Sequence, residues 1–286
     1  MKENIRSHHD VWKRNYNMAT ENISCKISFE GLNNTRDLGG MRTKQGQHIL
    51  PGKLIRSGQL HSATEKDISV LSVDLALVVD FRTEQERVEK PDPYMAGVIN
   101  LHLPVFESLA AGVTREEKSD AEAFAMVSSD PQKACQYMLE TYIGFVTNDF
   151  SVSQYSKFVR LLLEPRDKAV LWHCTAGKDR AGFASVIVQE LLGVGRDDIF
   201  ADYLKTNEYL KTEVGRLLEI FGQNMGAPDE KTTKSLDYLF GAHEEYLAGI
   251  YEKVEELYGG FDSFLTDGLK ICPDEIERFR RMYLAD

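Results

Sequence analysis

The stretch that most constrains this chain lies between Ala169 and Leu192. Ala169-Val170-Leu171-Trp172 is short and wholly apolar, which suits a strand buried on both faces. Residues 181–192 read as an apolar helix closed by Gly193. Between them sits the loop His173-Cys174-Thr175-Ala176-Gly177-Lys178-Asp179-Arg180. Strand, tight loop and buried helix in that order belong to a parallel α/β sheet, where ligands bind beyond the carboxyl ends of the strands. A helix N-terminus there presents free N–H groups and the positive end of the dipole. Successive N–H groups in a tight loop make a nest for anions. Gly177 permits the turn, and Arg180 supplies a planar fork for two phosphate oxygens.

Cys174 begins this loop. An ordinary thiol is only about 3% thiolate at neutral pH, and donors that attract a phosphate also stabilise a thiolate. A nucleophile at the base of an anion cradle implies attack on phosphorus and a cysteinyl-phosphate intermediate. Arg180 and the amides of Thr175, Ala176, Gly177, Lys178 and Asp179 would then bear the equatorial oxygens. The leaving oxygen needs a proton. Asp179, inside the loop, is the first candidate acid, and Asp80, at the end of another expected strand, is the second. His173 is read as orienting the loop by hydrogen bonding.

Elsewhere, strands are expected at Cys25–Phe29, Lys53–Arg56, Leu75–Val79 and Val98–Val105, with a hairpin turn at Gln45-Gly46. Thr64 with Asp67 and Thr83 with Glu86 have capping-box spacing, and Pro91 and Pro93 stop the second of those helices. Arg82 and Glu86, four apart, read as a surface ion pair. Arg36 and Asp37 could brace the cysteine loop or sit near the substrate, and are read first as stabilising their own loop by hydrogen bonds. Residues 107–135, rich in Ala, Ser and acids, read as a helical insert that could cover the site. Helical spacing continues over 136–163, over 236–257 up to Gly259-Gly260, and from Pro273 with Ile276, Phe279 and Met282 on one side. The fold class is therefore α/β: a mostly parallel sheet flanked by helices, with a helical C-terminal layer. Residues 1–21 form a polar lead-in and 22–286 one domain.

The cysteine loop resembles the phosphate-binding loop of the cysteine-dependent tyrosine phosphatases, His-Cys-x-x-Gly-x-x-Arg. Lys178-Asp179, together with Asn34-Thr35-Arg36-Asp37-Leu38-Gly39-Gly40, is similar to the atypical bacterial branch active on phosphoproteins and phosphoinositides. Asp80-Phe81-Arg82-Thr83, Asp202-Tyr203 with Thr206-Asn207, Tyr258-Gly259-Gly260 and Cys272-Pro273-Asp274-Glu275 extend the likeness over roughly 22–286. The resemblance implies Cys174 as nucleophile, Arg180 as phosphate clamp, Asp179 as acid, and Lys178 as a position favouring highly anionic head groups. The substrates would be phosphotyrosine proteins or phosphoinositides, with inorganic phosphate as product. One departure stands out: the family usually has Thr or Ser after the loop arginine, and here the residue is Ala181. Without that hydroxyl the sulfur should leave more slowly. The competing reading is a phosphatase-like binding module with slow or no turnover; sulfur transfer or arsenate reduction fits the loop poorly.

Composition narrows the rest. A net charge of -11 disfavours nucleic acid as a general partner. No stretch approaches a transmembrane span, and the polar N-terminus has no signal-peptide core, so the expected compartment is the cytoplasm. The resemblance also admits export without a cleaved signal. The histidines and four cysteines show no zinc spacing, and no cofactor or metal is called for.

Overall fold

The computed structural model describes residues 22–106, 128–225 and 229–286. The expected lead-in and most of the 107–135 insert lie outside these residues. Among the described residues, six strands form the central sheet in the order β1-β2-β4-β7-β5-β6. They are β1 (Cys25–Lys26), β2 (Arg36–Asp37), β4 (Leu54–Ser57), β5 (Leu75–Asp80), β6 (Ile99–His102) and β7 (Ala169–His173). β4, β7, β5 and β6 run parallel, while β1 and β2 are antiparallel additions at one edge. A separate pair joins β3 (His48–Ile49) to β8 (Leu284–Ala285). It follows a hairpin in which Gly46 takes a φ of 89°.

Strand alternation splits the core into two layers. Leu54, Leu77, Val79, Val170 and Trp172 face one cluster; Ile55, Val78, Ala169 and Leu171 face the other. The smaller cluster is covered by α1 (Glu65–Asp74), which opens on the expected Thr64–Asp67 capping box. α2 (Glu84–Glu89) opens on the Thr83–Glu86 box. The larger layer is built mainly from α3 (Pro131–Thr147), α4 (Asp149–Leu163) and α5 (Arg180–Leu192), with C-terminal helices behind them. α5 is buried along nearly its whole length and ends at Gly193, φ 78°. Its all-round apolar sequence follows from that position between sheet and helices.

α6 (Arg196–Leu204) and α7 (Thr206–Met225) follow. The expected helical run over 236–257 is two helices, α8 (Glu230–Phe240) and α9 (Glu244–Tyr258). The break has a tertiary cause that periodicity does not encode. Asn207 bonds both the N–H and the carbonyl of Ala242, each at 2.7 Å. Lys178 takes the carbonyls of Leu239 and Gly241. The 136–163 run likewise divides at Asn148, which caps α4 through the Ser151 amide. A short helix, α10 (Phe261–Ser263), runs into a π turn at Phe264–Gly268. Finally α11 (Pro273–Tyr283) buries Phe279 and Tyr283 and leads into β8. No helix among the described residues is long and apolar enough to cross a membrane.

Candidate active site

β7 is central, so its carboxyl end is flanked by the ends of β4 and β5. The loop leaves there, with the Cys174 side chain buried at its base. Three consecutive loop carbonyls are held from outside the loop. The Gln59 amide donates to Thr175 O (3.0 Å), Asn34 Nδ2 to Ala176 O (3.0 Å), and Arg56 to Gly177 O (2.8 Å). The described peptides are trans, and in a trans peptide the N–H points away from the preceding C=O. The amides of Ala176, Gly177 and Lys178 therefore turn away from these anchors, as an anion nest requires. Gly177 has φ 69°, and a Cβ there would meet the Ser57 carbonyl oxygen at 2.5 Å. Only glycine fits so close to the end of β4.

Arg180 opens α5 and is nearly buried. Glu86 holds it in a bidentate pair, Nη1 at 2.6 Å and Nη2 at 2.9 Å, and also accepts from the Thr175 hydroxyl at 2.5 Å. Burial alone would raise the Glu86 carboxyl, but the bonds and charge of Arg180, with Thr175 and the Thr83 amide, bring it down to about 2. The expected surface pair of Arg82 with Glu86 is thus corrected. Arg82 is buried, and its guanidinium bonds Asp80 (2.8 and 2.7 Å) and Asp92 (2.8 Å). Residue 82 precedes the helix, so helical i,i+4 geometry never applied to it.

Asp80 is 1% exposed and faces this buried cluster, beside His173 (3.8 Å). His173 Nε2 meets Asp92 Oδ2 at 2.9 Å, and Nδ1 meets the Cys174 carbonyl at 3.2 Å. Asp80, Asp92 and His173 lie within metal-ligating reach of one another. The Arg82 guanidinium already supplies the cation between the two carboxylates.

Asp179 is the N-terminal cap of α5 by position but makes no capping bond. Its Oδ1 instead accepts from Tyr142 (2.7 Å), whose hydroxyl also meets that of Tyr203 at 2.7 Å. Burial, then the Asp179 charge, pushes both phenols up, so they stay protonated donors. Lys178 is buried rather than extended toward the cavity: its ammonium bonds the Leu239 and Gly241 carbonyls and lies 3.4 Å from Asp179. Ala181 is fully buried in the first turn of α5. Arg36 bonds the Asp202 carbonyl and the Thr206 hydroxyl. Asp37 accepts from the Gly39 and Gly52 amides. Neither reaches the loop through these bonds. Asp202 instead gathers Ser24, Gln189 and Arg56, and Arg56 carries that brace to Gly177. Burial, then the neighbouring Arg36 charge, lowers Arg56 to about 9.

A cavity of about 390 Å³ opens over the loop. Thr175, Ala176, Lys178, Asp179 and Arg180 form its floor. Leu210, Val214 and Leu217 of α7 and Leu239 and Phe240 of α8 give it an apolar wall, and His61, Lys90 and Arg216 also border it. Glu86, Arg56 and Asp92 escape a reading of the sequence. The capping box already explains Glu86, and nothing near Arg56 or Asp92 marks them.

Residues 27–285 match the tyrosine phosphatase family. The chain is similar to the triple specificity protein phosphatase PtpB of Mycobacterium tuberculosis, 30% identical over 89% of this chain and 98% of that one. A Cupriavidus necator chain named for tyrosine-protein phosphatase activity is 29% identical over 91% and 88%, and a tyrosine-protein phosphatase of Nostoc commune is 25% identical over 79% and 72%. With a cysteine loop of the expected pattern at the end of a central parallel strand, and a match spanning almost the whole chain, this protein belongs to the tyrosine phosphatase family.

Proposed function

We propose that the chain hydrolyses phosphomonoesters, phosphotyrosine and phosphoinositides among them, through a cysteinyl-phosphate on Cys174. The observation that carries this is the fixed cradle: three loop carbonyls held outward, with Arg180 clamped beside them by Glu86. The Cys174 thiolate attacks phosphorus, the S–P bond forms and the ester P–O bond breaks. Arg180 and the loop amides balance the charge on the equatorial oxygens. Asp179 gives its proton to the leaving oxygen. The same carboxylate then takes a proton from water as water attacks phosphorus, and the sulfur leaves as thiolate. Tyr142 holds the Asp179 carboxyl in place.

The apolar wall suits an aryl ring, which supports phosphotyrosine as a substrate. His61, Lys90 and Arg216 could meet further phosphates, and the similarity to a phosphatase named for triple specificity supports a broad range. Lys178 would serve this range through its amide and its hold on α8, since its ammonium is committed to carbonyls. Ala181 favours one alternative, a binding module that turns over slowly. Rapid-mixing release of p-nitrophenol from p-nitrophenyl phosphate, with Cys174→Ser as control, separates the two. A burst followed by turnover, absent in the control, is expected. Tight phosphate-ester binding with no release would select the binding module.

A further inference from the structure

We propose that Tyr142 is a positioning residue for departure of the leaving group: it occupies one carboxyl oxygen of Asp179, so that the proton Asp179 hands over sits on the other, the oxygen left to the cavity. The proposal rests on the reading of Cys174 as nucleophile and Asp179 as acid.

The two oxygens of Asp179 are not equivalent. Oδ1 accepts from the Tyr142 hydroxyl at 2.7 Å and has the Lys178 ammonium 3.4 Å away. Among the described residues, no hydrogen bond or ion pair reaches Oδ2. The side chain is partly exposed and lines the cavity floor. A proton on Oδ1 would compete with the two donors already aimed at that oxygen, so the carboxyl carries it on Oδ2.

What lies behind Tyr142 fixes the direction of its bond. Tyr203 accepts from the His243 amide, which frees its own hydroxyl proton for Tyr142. Tyr142 accepts that proton at 2.7 Å and gives its own to Asp179. If Tyr142 donated to Tyr203 instead, its lone pair would face a carboxylate lone pair. The chain joins three parts of the fold: Tyr142 from α3, Tyr203 from α6, and His243 from the turn between α8 and α9. The Tyr142 ring is wedged against Phe145, Tyr246 and Tyr203, with centroids 5.3, 5.2 and 6.1 Å away, so its hydroxyl has one direction. A buried phenol that needed only a partner would be satisfied by Tyr203 alone. The second bond is aimed at the acid.

That bond matters most while Asp179 works. As the ester P–O bond breaks, the Oδ2–H bond breaks with it and the proton goes to the leaving oxygen. Negative charge appears on Asp179, and the Tyr142 bond becomes charge-assisted at that moment. The gain is largest where the leaving oxygen is most basic and most needs its proton.

Tyr142→Phe keeps the ring and removes the hydroxyl. The test is kcat/KM of the full chain over a series of aryl phosphates. p-Nitrophenyl phosphate, whose phenol leaves easily, should lose about 3-fold, and phenyl phosphate and phosphotyrosine about 30-fold. In an Asp179→Asn background the same change should cost less than about 2-fold, because Tyr142 acts through that carboxyl. Tyr203→Phe removes the next link and should show the same trend more weakly; it stands in if Tyr142→Phe does not fold. A loss equal across the series, no loss at all, or a loss undiminished in the Asp179→Asn background overturns the proposal. The readings beneath it fail separately. Asp179→Asn with no dependence on the leaving group removes the acid, and the proposal with it. A wild type without Cys174-dependent turnover removes the nucleophile.

Discussion

Glu86 does two jobs with one carboxylate. It closes the Thr83 capping box and grips Arg180. Its ionised form is favoured in the folded state, about 2 against an ordinary 4.5, so the stability it lends is full above pH about 4.5 and lost as pH falls toward 2. Glu86→Gln should cost about 1.5–3 kcal/mol at pH 7 by urea unfolding, and the gap to wild type should close by pH about 2. An undiminished gap at low pH would contradict this account. Because Arg180 would lose its anchor, kcat/KM should fall by about 100-fold. Ala181→Ser restores a hydroxyl at the first turn of α5. If it reaches the sulfur, phosphoenzyme hydrolysis should speed up by about 10- to 150-fold, the equivalent of one charge-assisted hydrogen bond. Unchanged burst and steady-state rates would show that the hydroxyl is not missed here.

At the level of elements, the βα unit around the loop was legible because its strand and helix are apolar on all sides, a pattern that burial alone produces. The capping boxes were legible because their bonds span three residues. The division of 236–257 was not, because it is imposed by Asn207 and Lys178 from elsewhere in the chain. The same holds for the site. Cys174 and Arg180 carry a local pattern, whereas Arg56, Glu86 and Asp92 contribute by contacts over 81 to 121 positions. Lys178 joins the loop to the end of α8. Lys178→Met would leave two carbonyls without their donor. It should lower stability by about 1–3 kcal/mol and loosen the apolar wall, raising KM for aryl and lipid phosphates alike. A selective loss of phosphoinositide turnover with unchanged stability would instead place the ammonium against the head group.

Across the whole molecule, the C-terminal helix closes the larger core layer. α11 buries Phe279 and Tyr283. Arg278 bonds Leu163 O at the end of α4, and Arg280 bonds Leu191 O at the end of α5. Ending the chain before Pro273 should therefore lower the melting temperature by well over 5 °C, given about 2–4 °C per kcal/mol for a chain of this size. A truncated chain that melts with wild type would show that α11 is peripheral. The three outward-held carbonyls of the cysteine loop have a consequence in time. Their anchors, Asn34, Arg56 and Gln59, leave the ribosome more than a hundred residues before the loop they shape. Until the sheet closes, the three carbonyls lack their anchors and the loop amides have no fixed direction. The cradle therefore exists only in the completed fold, and a nucleophile at Cys174 would gain its activation there and no earlier.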